Sequence, residues 1–232
     1  MILVSILAAF FLEGWRDDRE LAQDLRLELA TVQTELERNL LMVEVELKTL
    51  DRQVAGLGAL VRRLDAAEGV GPLVVPDTLA WMATGWNSTL DPSLGAISAL
   101  ISTGSLSRVD NTELRLGLAG IHDVFSDVIE EELLARQVTM EQLVPLLGEA
   151  IRLDYSIGDQ FFGTEGEGTE AAARGELLPL PTFGDVSFPT DLPIRNAILF
   201  RTAWLTSARA ELVPLLGRLQ RLIELISAEL SA

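Results

Sequence analysis

Between Leu21 and Leu64 the apolar residues recur three or four positions apart without a gap: Leu21, Leu25, Leu29, Val32, Leu36, Leu40, Val43, Leu47, Leu50, Val54, Leu57, Val61 and Leu64. A period near 3.6 sustained over such a length specifies an α-helix, because side chains on a strand change face at every residue. The stripe must be covered, and what covers a narrow helical stripe is another helix. Its early spacing is close to an eleven-residue repeat and from Leu40 becomes heptad-like, which predicts a seam that is first nearly straight and then mildly left-handed. Gly69, Gly71 and Pro72 end the helix, since glycine accepts the left-handed cap conformation and proline cannot extend the ladder.

A matching partner lies at the other end of the chain. From Pro193 the positions Ile198, Leu205, Ala208, Leu212, Leu215, Leu219, Leu222 and Ile226 repeat the same spacing, so these two helices are expected to pair antiparallel. Between them the sequence predicts short helices over Asp77 to Trp86 and Ser93 to Thr103, the second opened by Asp91-Pro92. Gly104-Ser105-Leu106 turns the chain. Asp110-Asn111-Thr112-Glu113 has the form of a capping box, with Glu113 reaching back to the cap amide, and opens a helix through Leu114, Leu118, Ile121, Phe125, Val128, Ile129 and Leu133. A break is expected near Val138-Thr139, then a further helix to about Arg152 bent by Pro145. Residues 153–192, rich in glycine and proline, read as an irregular acidic excursion. The hexapeptide LVPLLG occurs at Leu143 to Gly148 and again at Leu212 to Gly217; chance in a leucine-rich chain explains it more simply than duplication.

The N-terminus carries the clearest functional signal. Met1 to Leu12 is apolar and uncharged, followed by Glu13-Gly14-Trp15 and the charged run Arg16 to Glu20. Twelve residues make roughly 18 Å of helix, short of the about 30 Å that a hydrocarbon core requires. A signal peptide, a buried terminal helix and an uncleaved membrane helix are the three readings of this run. A signal peptide calls for a basic start and small residues at a cleavage site, whereas nothing basic precedes the run and Phe10, Phe11 and Leu12 close it. Helical periodicity also continues past Gly14, which favours a membrane anchor running into the long helix, with Trp15 at the interface. Ser5 and Ala9, one turn apart, would allow close approach of another membrane helix. Arg16 and Arg19 are outnumbered by Glu13, Asp17, Asp18 and Glu20, so the flank has no positive-inside character and the body is placed outside the cytoplasm.

Composition closes several chemistries. The chain has no cysteine, one histidine (His122) and one lysine (Lys48), so thiolate catalysis, zinc knuckles and most histidine- or lysine-based sites lack parts. A net charge of −17 repels nucleic-acid phosphates. The acidic stretch His122-Asp123 with Asp127, Glu130, Glu131 and Glu132 invites a divalent-ion reading, but it lies opposite Ile121, Phe125, Val128 and Ile129 and reads more simply as a solvated helix face. Glu165, Glu167 and Glu170 lack the register of a calcium loop. Asn87-Ser88-Thr89 is a formal glycosylation sequon too short to argue from, and Trp81 and Trp86 cannot share one helical face. Phe161, Phe162, Phe183 and Phe188 stand in the least regular part of the chain; they either pin the excursion to the helices or form an aromatic docking surface.

The block SILAAFFLEGWRDDRE at Ser5 to Glu20, and ISTGSLSRVDNTELRLGLA at Ile101 to Ala119, resemble a bacterial family of uncharacterised proteins with a single N-terminal membrane helix followed by a helical extracytoplasmic body. The family usually has basic residues before its membrane segment, which this chain lacks. The resemblance implies an anchored helical body and no reaction. The expectation is therefore an all-α protein: residues 1–15 a membrane anchor, residues 16–232 an elongated antiparallel helical bundle with short corner helices, interrupted by the 153–192 excursion. Its expected role is non-enzymatic, an interaction or scaffolding protein and accessory subunit in the cell membrane, with other membrane subunits and the bilayer as partners. Ser5, Ala9, Phe10, Phe11 and Trp15 would serve the anchor, and Phe161, Phe162, Phe183 and Phe188 the partner contact. No catalytic residue, cofactor or metal ligand is assigned. The alternatives are an extracytoplasmic sensor-like domain holding a small ligand between helices, and a hydrolase with a carboxylate site.

Overall fold

A computed structural model describes residues 2–67, 71–84, 90–149, 151 and 184–231, with the backbone alone for 2–10 and 84. The protein is predominantly helical. In chain order it has α1 (Ile2–Ala66), β1 (Leu73–Pro76), α2 (Asp77–Thr84), α3 (Gly95–Ser102), a 3₁₀ turn (Ser105–Arg108), α4 (Thr112–Ala119) and α5 (Ile121–Val138). A widened π turn (Thr139–Leu143), α6 (Val144–Gly148), β2 (Asp185–Phe188) and α7 (Leu192–Ser231) follow. Two compact units form: residues 1–39, 93–122 and 218–232 make the first, and residues 40–92 and 123–217 the second.

In the first unit α3 runs antiparallel to α1 and is fixed by side chains of α1. Asn39 donates from Nδ2 to the Ser93 carbonyl at 2.7 Å and accepts the Ser93 N–H at 3.0 Å, while Glu35 accepts the N–H groups of Ala96 and Ile97 at 2.9 and 3.2 Å. Glu35 thus does for α3 what a local N-cap residue ordinarily does, satisfying amides that have no partner inside the helix and placing negative charge at its positive end. The helix begins later than its sequence suggests: Leu94 is its N-cap residue and makes no side-chain cap, and Asp91-Pro92 precedes it. After the turn at Gly104, where φ is +77°, α4 is capped by Asn111, whose Oδ1 accepts the Leu114 N–H at 3.1 Å. Glu113 does not complete the box; it makes a two-pronged pair with Arg221 of α7 at 2.8 and 2.9 Å. The core between these helices holds Leu29, Val32, Leu36, Ile97, Leu100, Leu114, Leu118, Leu219, Leu222 and Ile226, all buried.

In the second unit α1 and α7 are antiparallel. Asp51 pairs with Arg209 and Asp65 with Arg195, so fourteen residues forward on one helix correspond to fourteen residues back on the other. β1 and β2 pair antiparallel with Leu73 opposite Phe188 and Pro76 opposite Asp185. The end of the expected irregular excursion is therefore a strand. Gly184, at φ +111°, stands just before β2 and receives on its carbonyl the Asp77 N–H at 2.9 Å, which ties the start of α2 to that strand. Met82 of α2 packs on Gly56 of α1 so closely that a Cβ there would sit 1.8 Å from its sulfur. Thr139 does not recap a new helix: its hydroxyl bonds the Ala135 carbonyl at 3.0 Å, and the π turn widens the helix just before Pro145, where a missing N–H and a bulky ring need room.

The buried row of α1 differs from the one its leucines suggest. Leu29, Val32, Leu36, Asn39, Val43, Glu46, Leu50, Gln53, Leu57, Leu60 and Leu64 are buried, an unbroken three-four alternation, whereas Leu40, Leu47, Val54 and Val61 are half-buried at its flank and Leu21 is exposed. The eight apolar positions read on α7 are all buried.

Candidate functional site

The three-four register of α1 places polar side chains in the core at three successive heptads. Asn39 is satisfied by Ser93 within the first unit. In the second unit Glu46 is 5% exposed and Gln53 3%, and two further charged residues occupy core positions of other helices: Glu132 of α5 and Arg201 of α7, both at 0%. Arg201 fills the step between Ile198 and Leu205 that an apolar residue would otherwise take, and Glu132 follows Phe125 and Val128 at the same three-four spacing. The expectation that Glu132 belongs to a solvated acidic face is thus corrected: Glu130 is exposed and Glu131 half-buried, but Glu132 points inward and Leu133, read as core, is half exposed.

Glu132 accepts the Leu90 N–H on Oε2 at 2.8 Å, while its Oε1 has no hydrogen-bond partner among the described residues. Burial, with the neighbouring Glu46 as a second cause, pushes its carboxyl up to about 8 against the opposing effect of the Leu90 amide. Desolvation dominates because a carboxylate stripped of water in an apolar core loses far more than one amide returns. The side chain is accordingly an uncharged acid below that value, able to release a proton within the physiological range.

Arg201 donates from Nη1 to the Ala83 carbonyl at 2.8 Å. Burial pulls it down to about 9, which leaves the guanidinium charged at neutral pH. The two ion pairs between α1 and α7 place position 201 level with residue 59, thirteen residues past Glu46, or roughly 20 Å along the helix at 1.5 Å per residue. Glu132 and Arg201 therefore lie at different levels of the core and do not pair with each other. On the surface of the same unit, burial raises the Glu211 carboxyl, helped by Glu131, Asp127 and Glu130 across on α5, and together they form an acidic patch.

Among the residues singled out from sequence, Ser5, Ala9 and Phe10 lie in the first turns of α1, where side chains are outside the described residues. Phe11 is 77% exposed and Trp15 55%, and the Arg19 guanidinium stands 5.0 Å from the Trp15 ring centroid, a cation–π contact. Among the described residues no helix is long and apolar enough to cross a membrane. Phe161, Phe162 and Phe183 fall outside the described residues. Phe188 is fully buried at the end of β2 opposite Leu73, so it serves the core beneath the two-stranded sheet and offers no docking surface. His122 bonds through Nε2 with the Ser98 hydroxyl at 3.1 Å, and no group of three or more metal-ligating side chains converges among the described residues.

From sequence Glu132 reads as part of a solvated face, and Glu46, Gln53 and Arg201 are not singled out, because the core is traced through apolar positions alone. On α5 and α7 the three-four register carried through every position reaches Glu132 and Arg201, whereas on α1 a second three-four row through Leu40 and Leu47 competes with the one through Glu46 and Gln53. What this arrangement can do is hold and release a proton inside the helical core; a substrate reaches Glu132 only if that core opens. No protein-family model matches this chain, and no significant match is found among curated proteins or solved structures.

Proposed function

We propose that the protein is a membrane-anchored, non-enzymatic interaction or scaffolding protein, an accessory subunit whose elongated antiparallel helical bundle extends from an N-terminal anchor outside the cytoplasm. The observation that carries this reading is the exposed stretch 11–24 of α1, which includes Phe11, Leu12 and Trp15 and begins within the uncharged run Met1 to Leu12. Apolar side chains left in water are costly, and a bilayer with Trp15 and Arg19 at its interface would remove that cost. The test is extraction: membranes from expressing cells, washed with alkaline carbonate, should keep the full chain and release a variant lacking residues 1–15. Release of the full chain would refute the anchor; protection of the body from protease in spheroplasts would refute the orientation.

The sensor-like alternative draws on a different observation, the unpartnered Oε1 atoms of Gln53 and Glu132 among the described residues. Gln53 Oε1 is a buried acceptor and Glu132 Oε1 becomes one when its carboxyl ionises, which a ligand bearing N–H groups would satisfy. Ammonium or a small primary amine should then raise the melting temperature of the protein and leave Glu132→Gln unchanged; equal shifts in both would dismiss it.

A further inference from the structure

Two carboxyls share the core of the second unit. Glu132 of α5 is fully buried, Glu46 of α1 is 5% exposed, and the charge of Glu46 bears on Glu132. Glu132 accepts the Leu90 N–H on Oε2 at 2.8 Å, a bond between residues 42 positions apart, and its Oε1 has no hydrogen-bond partner among the described residues. Leu90 is itself buried, and the chain leads from it to Ser93, where Asn39 of the first unit takes hold. Glu132 thus fastens the Leu90 end of this connection. No opposite charge reaches Glu132 among the described residues. Arg136, a turn further along α5, is half-buried and leaves its Oε1 without a partner. On α7 Arg209 pairs with Asp51, Arg201 lies at a different level, and Glu211 sits over Glu131, Asp127 and Glu130. On α1 Lys48 is exposed and Arg52 half-buried, Asp91 beside Leu90 is exposed, and Asp77 of α2 holds the Thr78 N–H.

We propose that Glu132 is a proton-operated latch on the core of the second unit: with its proton it lets the core close over Leu90, and without it α5 parts from Leu90 and Glu46. Two carboxylates stripped of water repel each other, and one amide offsets only part of that cost. The neutral acid carries no charge to hydrate and still accepts the Leu90 N–H through its carbonyl oxygen. Burial, and after it Glu46, accordingly holds the carboxyl up to about 8 while the core is closed; once water returns it goes back toward 4.5. Between these values opening releases one proton to solvent, so the opening equilibrium grows about tenfold per pH unit until the closed core has lost the proton too. Asp65 and Glu113 do not share this window, because hydrogen bonds from Arg195 and Arg221 hold them below the ordinary carboxylate range. Residues 1–24 take no part in the latch, so it is independent of the anchor.

The chain has no cysteine, so a single introduced thiol reports opening. Ala135→Cys places one at a fully buried position a turn past Glu132 on the same row of α5, and Val32→Cys at an equally buried position of the first unit. Full-length chain in detergent is alkylated at low reagent concentration, where the rate follows the population of the open form, and each rate is divided by that of a free thiol at the same pH. Labelling of Ala135→Cys should rise about 100-fold over two pH units below pH 8 and level off above about 8. Adding Glu132→Gln should remove the rise, and adding Glu46→Gln should keep its slope but bring the levelling to lower pH. A rise that persists with Glu132→Gln, or that Glu46→Gln abolishes, would overturn the latch. So would labelling of Ala135→Cys that does not change with pH, or an equal rise at Val32→Cys, which would mark unfolding of the whole chain.

Discussion

Replacing Glu132 by Gln should stabilise the protein at alkaline pH, an unusual outcome for a fully buried position. The side chain has no exposed surface and its Oε2 accepts the Leu90 N–H at 2.8 Å. A glutamine keeps the shape and that acceptor and removes only the ability to ionise. The carboxyl is raised from 4.5 to about 8 by burial and by Glu46. Because the folded value lies above the unfolded one, the folded state binds more protons between them: the stability this group supports is complete below about pH 4.5, falls through the window from 4.5 to 8, and is lost above it. At about 1.4 kcal/mol per unit the span amounts to on the order of 3–5 kcal/mol. Glu132→Gln should therefore be close to wild type at pH 4 and more stable by up to that amount at pH 9. For a chain of this size that is on the order of 6–20 °C in melting temperature. Circular dichroism melts of both proteins from pH 4 to 9 measure it, and the difference between the two curves isolates this group from the other carboxylates. A difference that stays flat with pH, or a glutamine variant less stable than wild type at pH 9, would refute the reasoning.

Three further outcomes are expected. Asn39→Ala should cost about 2–3 kcal/mol in denaturant unfolding, because it strips both hydrogen bonds from the Ser93 backbone at a buried position. Leu219→Ala, at 0% exposure, should cost about 2–5 kcal/mol, while Leu47→Ala, half-buried at the flank of the α1 seam, should cost clearly less; equal losses would contradict the observed seam. Gly117→Ala should destabilise by about 1–3 kcal/mol, since its Cβ would lie 2.6 Å from Leu222 Cδ2, and pairing it with Leu222→Ala should recover part of the loss in a double-mutant cycle.

The local pattern of the chain was enough to determine the long helices and the buried row of α7, because helical spacing acts within one or two turns; it placed the start of α4 to within a residue but assigned the cap to a box closed by Glu113, where Asn111 alone caps. It also fixed that α1 has an apolar stripe, but not which edge of it faces inward. Leu40, Leu47, Val54 and Val61 repeat every seven residues just as Val32, Asn39, Glu46, Gln53 and Leu60 do, and the two rows lie only one residue apart on the helix. The helix turns the second row inward, and the choice rests with what packs against it: Glu35 and Asn39 hold α3 in the first unit, and Met82 lies on Gly56 in the second. Those partners are far away in sequence and leave no mark on the local period. The same distance hid the two-stranded β1–β2 sheet, whose four-residue strands pair across more than a hundred residues, and with it the burial of Phe188. Glu132 and Arg201 carry the lesson furthest. By composition each belongs in water, and only the packing of neighbouring helices puts them in the core, where loss of water decides their charge.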